Sequence, residues 1–166
     1  MHLSSRIFRT IIACLGASLL VACNAVANES ESRTEPPVTL SAESGLQQVP
    51  LTIISKGKKS HLTVEMAQSV EEQARGLMFR KQLSPNGGMI FPFKNDRIAS
   101  FWMKNTVIPL DIIFIRRNGS IESIAANTVP YSLDPVQSGE PVAAVLEIAG
   151  GRAAELGISP GDKVSW

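Results

Sequence analysis

The sequence predicts a mainly β domain with two short helices, folded as a compact β-sandwich or a small barrel-like single domain. Three observations carry this reading. Short runs rich in branched and aromatic residues recur from Leu51 to the C-terminus. Turn signals separate them: Lys56-Gly57-Lys58-Lys59, Asn118-Gly119 and Gly161-Asp162. Only two stretches carry helical spacing closed by a glycine.

The chain begins with an address. Met1 to Thr10 holds Arg6 and Arg9 and no acid, and residues 11–22 form an apolar run. That run is shorter than the roughly 20 residues a spanning helix needs. A basic stretch followed by a short apolar one reads as a secretory signal. Leu20-Val21-Ala22-Cys23 resembles a bacterial lipobox, which makes residues 1–23 a signal peptide with lipobox and Cys23 the lipidated residue. Ala25-Val26-Ala27 is a competing site, and cleavage after Ala27 would leave a soluble periplasmic protein. A cysteine directly after Leu-Val-Ala is the rarer coincidence and favours the lipobox. Both readings export the chain.

Residues 24–47 read as a flexible tether, rich in Glu and Ser with tandem Pro36-Pro37 and no aromatic. Such a segment buries too little apolar area to offset its ordering entropy. Residues 48–166 are the β-rich globular domain, long enough to bury a core of its own. Leu51-Thr52-Ile53-Ile54 and His61 to Met66 are expected as a hairpin. A helix follows, with Ser69 as N-cap, Glu72 completing a capping box, and Gly76 as its stop. Val70, Ala74 and Leu77 share its apolar face, and Glu71 and Arg75 are spaced as an i,i+4 pair. Strands are then expected at Met89 to Phe93, Ile98 to Met103, Leu110 to Ile115, Ile121 to Ile124 and Val142 to Ile148. A second helix near Gly150 to Leu156 ends at Gly157, and Lys163 to Trp166 is the last strand.

Several chemistries are excluded early. The two cysteines, Cys14 and Cys23, both lie in the leader, so the domain has no thiol nucleophile and no cysteine-based zinc site. His61 is the single histidine beyond the leader; it follows a turn and reads as a surface residue, and no metal site or cofactor is expected. The charges nearly cancel, with 16 basic against 15 acidic residues, and no basic stripe points to nucleic acid.

The candidate site is the run from Ser100 to Phe114, which sets Trp102, Lys104, Asn105, Thr106 and Asp111 between apolar segments, with Pro109 as the break. Strand alternation places Asp111 with Ile113 and Ile115, and Lys104 is its natural partner across the corner. Glu147 is the second oddity, a carboxylate inside Val142 to Ile148. It must reach solvent, take up a proton, or pair with Arg75, Arg80 or Lys104. Trp102, Lys104, Asn105, Thr106, Asp111 and Glu147 are therefore the candidate ligand-binding residues. Two carboxylates in one pocket would suit hydrolysis; a paired corner would be structural.

Further motifs occur in a fixed order: Arg75-Gly76-Leu77-Met78-Phe79-Arg80, Gly88-Met89-Ile90-Phe91, Phe101-Trp102-Met103-Lys104-Asn105-Thr106, Ile108-Pro109-Leu110-Asp111, Val145-Leu146-Glu147, and Leu156-Gly157-Ile158 with Gly161-Asp162. In these the chain resembles the bacterial and archaeal family called domain of unknown function 192. Isoleucine stands at position 90, where leucine is commoner in that family. The resemblance implies a compact β-rich, sandwich-like domain that is often exported, and it implies no reaction.

Two function classes follow. One is a non-catalytic cell-envelope domain, anchored to the membrane by its N-terminal lipid, that binds a small molecule or an envelope protein. The other is a carboxylate-dependent hydrolase acting on an envelope or sugar substrate.

Overall fold

The computed structural model describes residues 38–166. The expected signal peptide, the expected sites at Cys23 and Ala27, and the part of the expected tether up to residue 37 lie outside the described residues. The domain is mostly β, with two short helices, as the sequence predicts. The strands are β1 (Thr39–Leu40), β2 (Gln47–Ser55), β3 (Lys58–Met66), β4 (Gly87–Arg97), β5 (Ser100–Phe101), β6 (Leu110–Ile115), β7 (Ile121–Ala125), β8 (Val136–Gln137), β9 (Val142–Ala149) and β10 (Lys163–Ser165). The helices are α1 (Val70–Arg75) and α2 (Arg152–Leu156).

One large mixed sheet runs β1-β2-β3-β4-β9-β6-β7, with β10 also paired to β2. The pairs are antiparallel except β3 with β4, which α1 connects as a crossover. The sheet curls until β7 and β10 meet. Ile121 N–H donates to the Asp162 carbonyl at 2.8 Å and Val164 N–H to that of Gly119 at 2.8 Å. That seam is a single bridge, Ser120 with Lys163, and not a ladder, so the barrel stays unclosed. Gly119 makes the seam possible. It sits at φ +78° in the β6–β7 turn, and a Cβ there would stand 2.7 Å from the Val164 carbonyl.

The central strands explain why β6 and β9 read as almost unbroken apolar runs: the sheet is covered on both faces. On one face Leu51, Val64, Ile90, Ile113 and Leu146 pack under Ala153 of α2 and Val164 of β10. On the other Met89, Phe91, Ile112, Phe114 and Val145 pack under Leu77, Ala99 and Met103. Each of the Leu, Ile, Val, Phe and Met side chains among them contributes about 1.5–3 kcal/mol when fully buried. Gly88 lets β4 and β9 approach, since a Cβ there would lie 2.5 Å from the Glu147 carbonyl.

Three expectations are corrected. Residues 39–47 are not tether: they form β1, a turn and the start of β2, stapled by Ser41 and Ser44 to Glu65. The strand expected from Ile98 to Met103 shrinks to Ser100–Phe101, because Met103 N–H leaves the ladder for the Ser132 carbonyl at 2.9 Å. In α1 the capping box forms as expected, but Val70 is 78% exposed and only Leu77, beyond the helix, is buried. No helix among the described residues is long and apolar enough to cross a membrane.

Candidate functional site

The predicted residues divide between the two faces of the sheet. The dividing fact is register. Ile112 of β6 pairs with Glu147 of β9, and Asp111 pairs with Ile148. Paired residues share a face and successive residues alternate. Asp111 therefore points to one side and Glu147 to the other, and no pocket holds both. The two-carboxylate hydrolase reading is overturned by this geometry.

Asp111 is structural. Its side chain is fully buried and accepts three backbone N–H bonds: Oδ1 from Asn127 at 2.8 Å and Gly151 at 3.0 Å, and Oδ2 from Ala153 at 2.8 Å. The N-cap of α2, Gly151, has no side chain to cap the helix, so Asp111 supplies the acceptor from the sheet. Lys104 is not its partner. Lys104 is exposed, with Nζ 5.0 Å from the Trp102 ring centroid, a cation–π contact.

The corner after Trp102 is held by backbone bonds from two other loops. Phe79 N–H donates to the Asn105 carbonyl at 2.8 Å, and Tyr131 N–H to that of Thr106 at 3.1 Å. Thr106 Oγ1 donates to the Lys104 carbonyl at 3.3 Å, so this hydroxyl serves its own turn. Asn105 Nδ2 lies 3.8 Å from Met78 Sδ. Phe79, Asn105 and Tyr131 have φ of 65°, 56° and 61°. Asparagine tolerates that region; bulky aromatics rarely enter it. Both aromatics are turned to solvent, at 63% and 60% exposure, and Trp102 is 48% exposed. Such strain collects at functional sites.

Under Trp102 lies a cavity of about 340 Å³ between α1, the end of β4 and the Trp102 corner. Phe101 forms one wall, edge-on to Phe91 with centroids 5.1 Å apart. Val70, Ala74 and Gly76 of the α1 segment form another, which is where the exposed face of that helix goes. Glu147 lies among the lining residues, flanked across the ladders by Met89 and Ile112. It makes no hydrogen bond or ion pair among the described residues, and burial pushes its pKa up to about 8. The buried Glu–Arg pair anticipated for Glu147 exists elsewhere. Arg80 binds Glu65 at 2.8 and 2.6 Å in a two-pronged pair. Burial raises the Glu65 pKa, but the Arg80, Ser44 and Ser41 bonds together outweigh it and hold the group below the ordinary glutamate range.

Of the six candidates, Trp102, Thr106 and Glu147 line the cavity, while Lys104, Asn105 and Asp111 do not. Sequence reading missed Arg97, Ser100 and Phe101, and saw Arg75 only as a partner for Glu71 or Glu147; all four line the cavity. Arg97 reaches it because β4 shifts register between Pro92 and Arg97, and its guanidinium stacks 3.9 Å over the Phe93 ring. His61 is exposed, its Nδ1 3.2 Å from Thr52 Oγ1 across the β2–β3 ladder. No three His, Asp or Glu side chains converge on a metal site among the described residues.

The DUF192 family model, described as "Uncharacterized ACR", matches residues 52–166, a span that contains the whole cavity. No curated protein matches the chain. Among solved structures, a protein of unknown function from Novosphingobium aromaticivorans is similar at 48% identity and a TM-score of 0.76, over 79% of this chain and 94% of its own. A candidate transcription regulator from Sinorhizobium meliloti is similar at 39% identity and a TM-score of 0.70, over 79% of this chain and 96% of its own.

Proposed function

Because this chain belongs to the uncharacterised DUF192 family, for which no reaction is known, we propose a role from the cavity itself: an exported, lipid-anchored envelope domain that binds a small ligand beneath Trp102. One observation carries the reading. A concave, aromatic-walled space of about 340 Å³ is lined by three ionisable side chains, Arg75, Arg97 and Glu147, that form no ion pair among the described residues. Pockets with apolar walls and a few convergent polar groups are the usual form of a ligand site. A binding role fits the lining better than catalysis. Ser100 is the exposed hydroxyl there, and its hydrogen-bond neighbour is the Gln137 amide at 3.3 Å, which is no base. The regulator description of the Sinorhizobium protein finds no support in this chain, whose 16 basic and 15 acidic residues form no basic stripe.

A thermal-shift screen of the mature protein against sugars, nucleotides and peptidoglycan fragments tests the binding role. A ligand at a hundredfold excess over its dissociation constant stabilises the fold by about 2.7 kcal/mol. Trp102→Ala is expected to abolish that shift. Because about half of Trp102 is buried, the unliganded variant is expected to melt lower, and the readout is the loss of the ligand-dependent shift measured against that variant's own baseline. A panel-wide absence of shifts would count against the role.

The address carries the export half. Membrane-extracted protein is expected to show lipid mass at Cys23 by intact-mass analysis. A mature N-terminus at Asn28 without added lipid would remove the anchor and leave a soluble exported domain.

A further inference from the structure

Resting on the binding role above, we infer that the ligand is a small anion with a flat apolar body, held by the Arg75 and Arg97 guanidiniums above the Glu147 carboxyl. The arginines make the case by contrast. Arg80, Arg116, Arg117 and Arg152 each pair with a carboxylate, Glu65, Glu140, Asp96 and Glu155 respectively. Arg75 and Arg97 form no ion pair among the described residues, and both line the one cavity. An unpaired arginine on an open surface would mean little. Two of them around a concave site, facing no carboxylate within ion-pair reach, set up a positive field suited to an anion. Arg97 also stacks on Phe93 at 3.9 Å, a contact outside the cavity lining that restricts its side chain. The fork of a guanidinium fits a carboxylate or phosphate with two parallel bonds.

Glu147 decides the sign of the pH dependence. The titratable groups lining the cavity are Arg75 from the α1 segment, Arg97 from the end of β4, and Glu147 from β9. The flanking strands present apolar Met89 and Ile112 to it. Burial raises its pKa to about 8, so at neutral pH it is an acid that donates O–H to an anion. Ionised, it would repel the same anion. An organic cation would meet the opposite field, two guanidiniums against a carboxyl that burial keeps neutral. Trp102 and Phe101 supply the faces for a flat body.

Calorimetric titration of the mature protein with benzoate, phenyl phosphate, benzamide and benzylamine tests this. The two anions are expected to bind, benzamide at least tenfold more weakly, and benzylamine not at all. Affinity for the anions is expected to fall about tenfold from pH 7 to pH 9, as the protonated fraction of Glu147 falls. Glu147→Gln, which keeps a donor, removes that slope while preserving binding at pH 7. Arg75→Gln and Arg97→Gln, both on exposed residues, each weaken the anions about tenfold or more. Arg75→Gln leaves the melting temperature unchanged, whereas Arg97→Gln lowers it slightly because it also loses the stack on Phe93. Benzylamine binding that tightens with pH and is lost in Glu147→Gln would overturn the inference and leave the binding role standing. So would anions that fail to bind at millimolar concentration while the ligand screen still yields a Trp102-dependent binder. A screen without any binder removes the underlying role instead.

Discussion

Asp111→Ala is expected to cost the domain about 3–6 kcal/mol, a large part of the 5–15 kcal/mol by which such domains are stable. The argument is a count of donors. Three backbone N–H groups, from Asn127, Gly151 and Ala153, point at this one carboxylate, which is fully buried. Alanine leaves all three without an acceptor. An orphaned buried donor costs roughly 1–3 kcal/mol, in full for the buried Ala153 N–H and toward the lower end for the part-buried Asn127 and Gly151 N–H groups. The first turn of α2 loses its cap at the same time, because Gly151 offers no side chain to replace it. Asp111→Asn is expected to fall between: its one oxygen can still serve Asn127 and Gly151, but its amide would face the Ala153 donor. Urea melts read the result as a lower midpoint at unchanged slope. Ligand binding in the variant that stays folded is expected to be normal, since Asp111 faces away from the cavity. A midpoint loss worth less than about 1 kcal/mol would sink this account of the corner.

Asp111 also shows how far the sequence carries and where it stops. Alternation within β6 correctly set Asp111 beside Ile113 and Ile115. What it does not give is the register between β6 and β9, which are distant along the chain, and that register alone puts Glu147 on the opposite face. Local chemistry was legible for the same reason it is local. The Ser69–Glu72 box and the Asn118-Gly119 turn each satisfy their own backbone within a few residues. The staple that brings residues 39–47 into the fold was not legible, because Ser41 and Ser44 find Glu65, and Glu65 finds Arg80, across the tertiary structure. Arg97 was hidden by the register shift in β4, which breaks the period-2 rule that would otherwise have assigned its face. The aromatics Phe79 and Tyr131 carry no sequence mark of their left-handed backbones, since nothing about a Phe or a Tyr announces φ above zero.

Glu147→Gln is expected to stabilise the protein at pH 8 by on the order of 3–5 kcal/mol, and to change it little near pH 4.5. The sign follows from linkage. Burial raises the Glu147 pKa to about 8 in the folded state, against an ordinary 4.5. Between those values the folded chain holds a proton that the unfolded chain has released. Stability then falls as pH rises, by up to about 1.4 kcal/mol per pH unit, and levels off above the folded pKa. Glutamine has no proton to lose and follows no such slope. Glu65 acts in the opposite sense, because its pKa is lowered: its contribution is present above the ordinary value and lost as pH falls through the folded one. Both proteins keep Glu65, so the difference between their stability curves isolates Glu147. Urea melts of the two at intervals from pH 4.5 to 9 should give curves that start together and separate steadily. Parallel curves would mean that Glu147 is ionised in the fold, reached by Arg75 or Arg97 as an ordinary ion pair. The same result would take away its O–H as a donor to an anion, so one set of melts bears on both the stability of β9 and the chemistry of the cavity beneath Trp102.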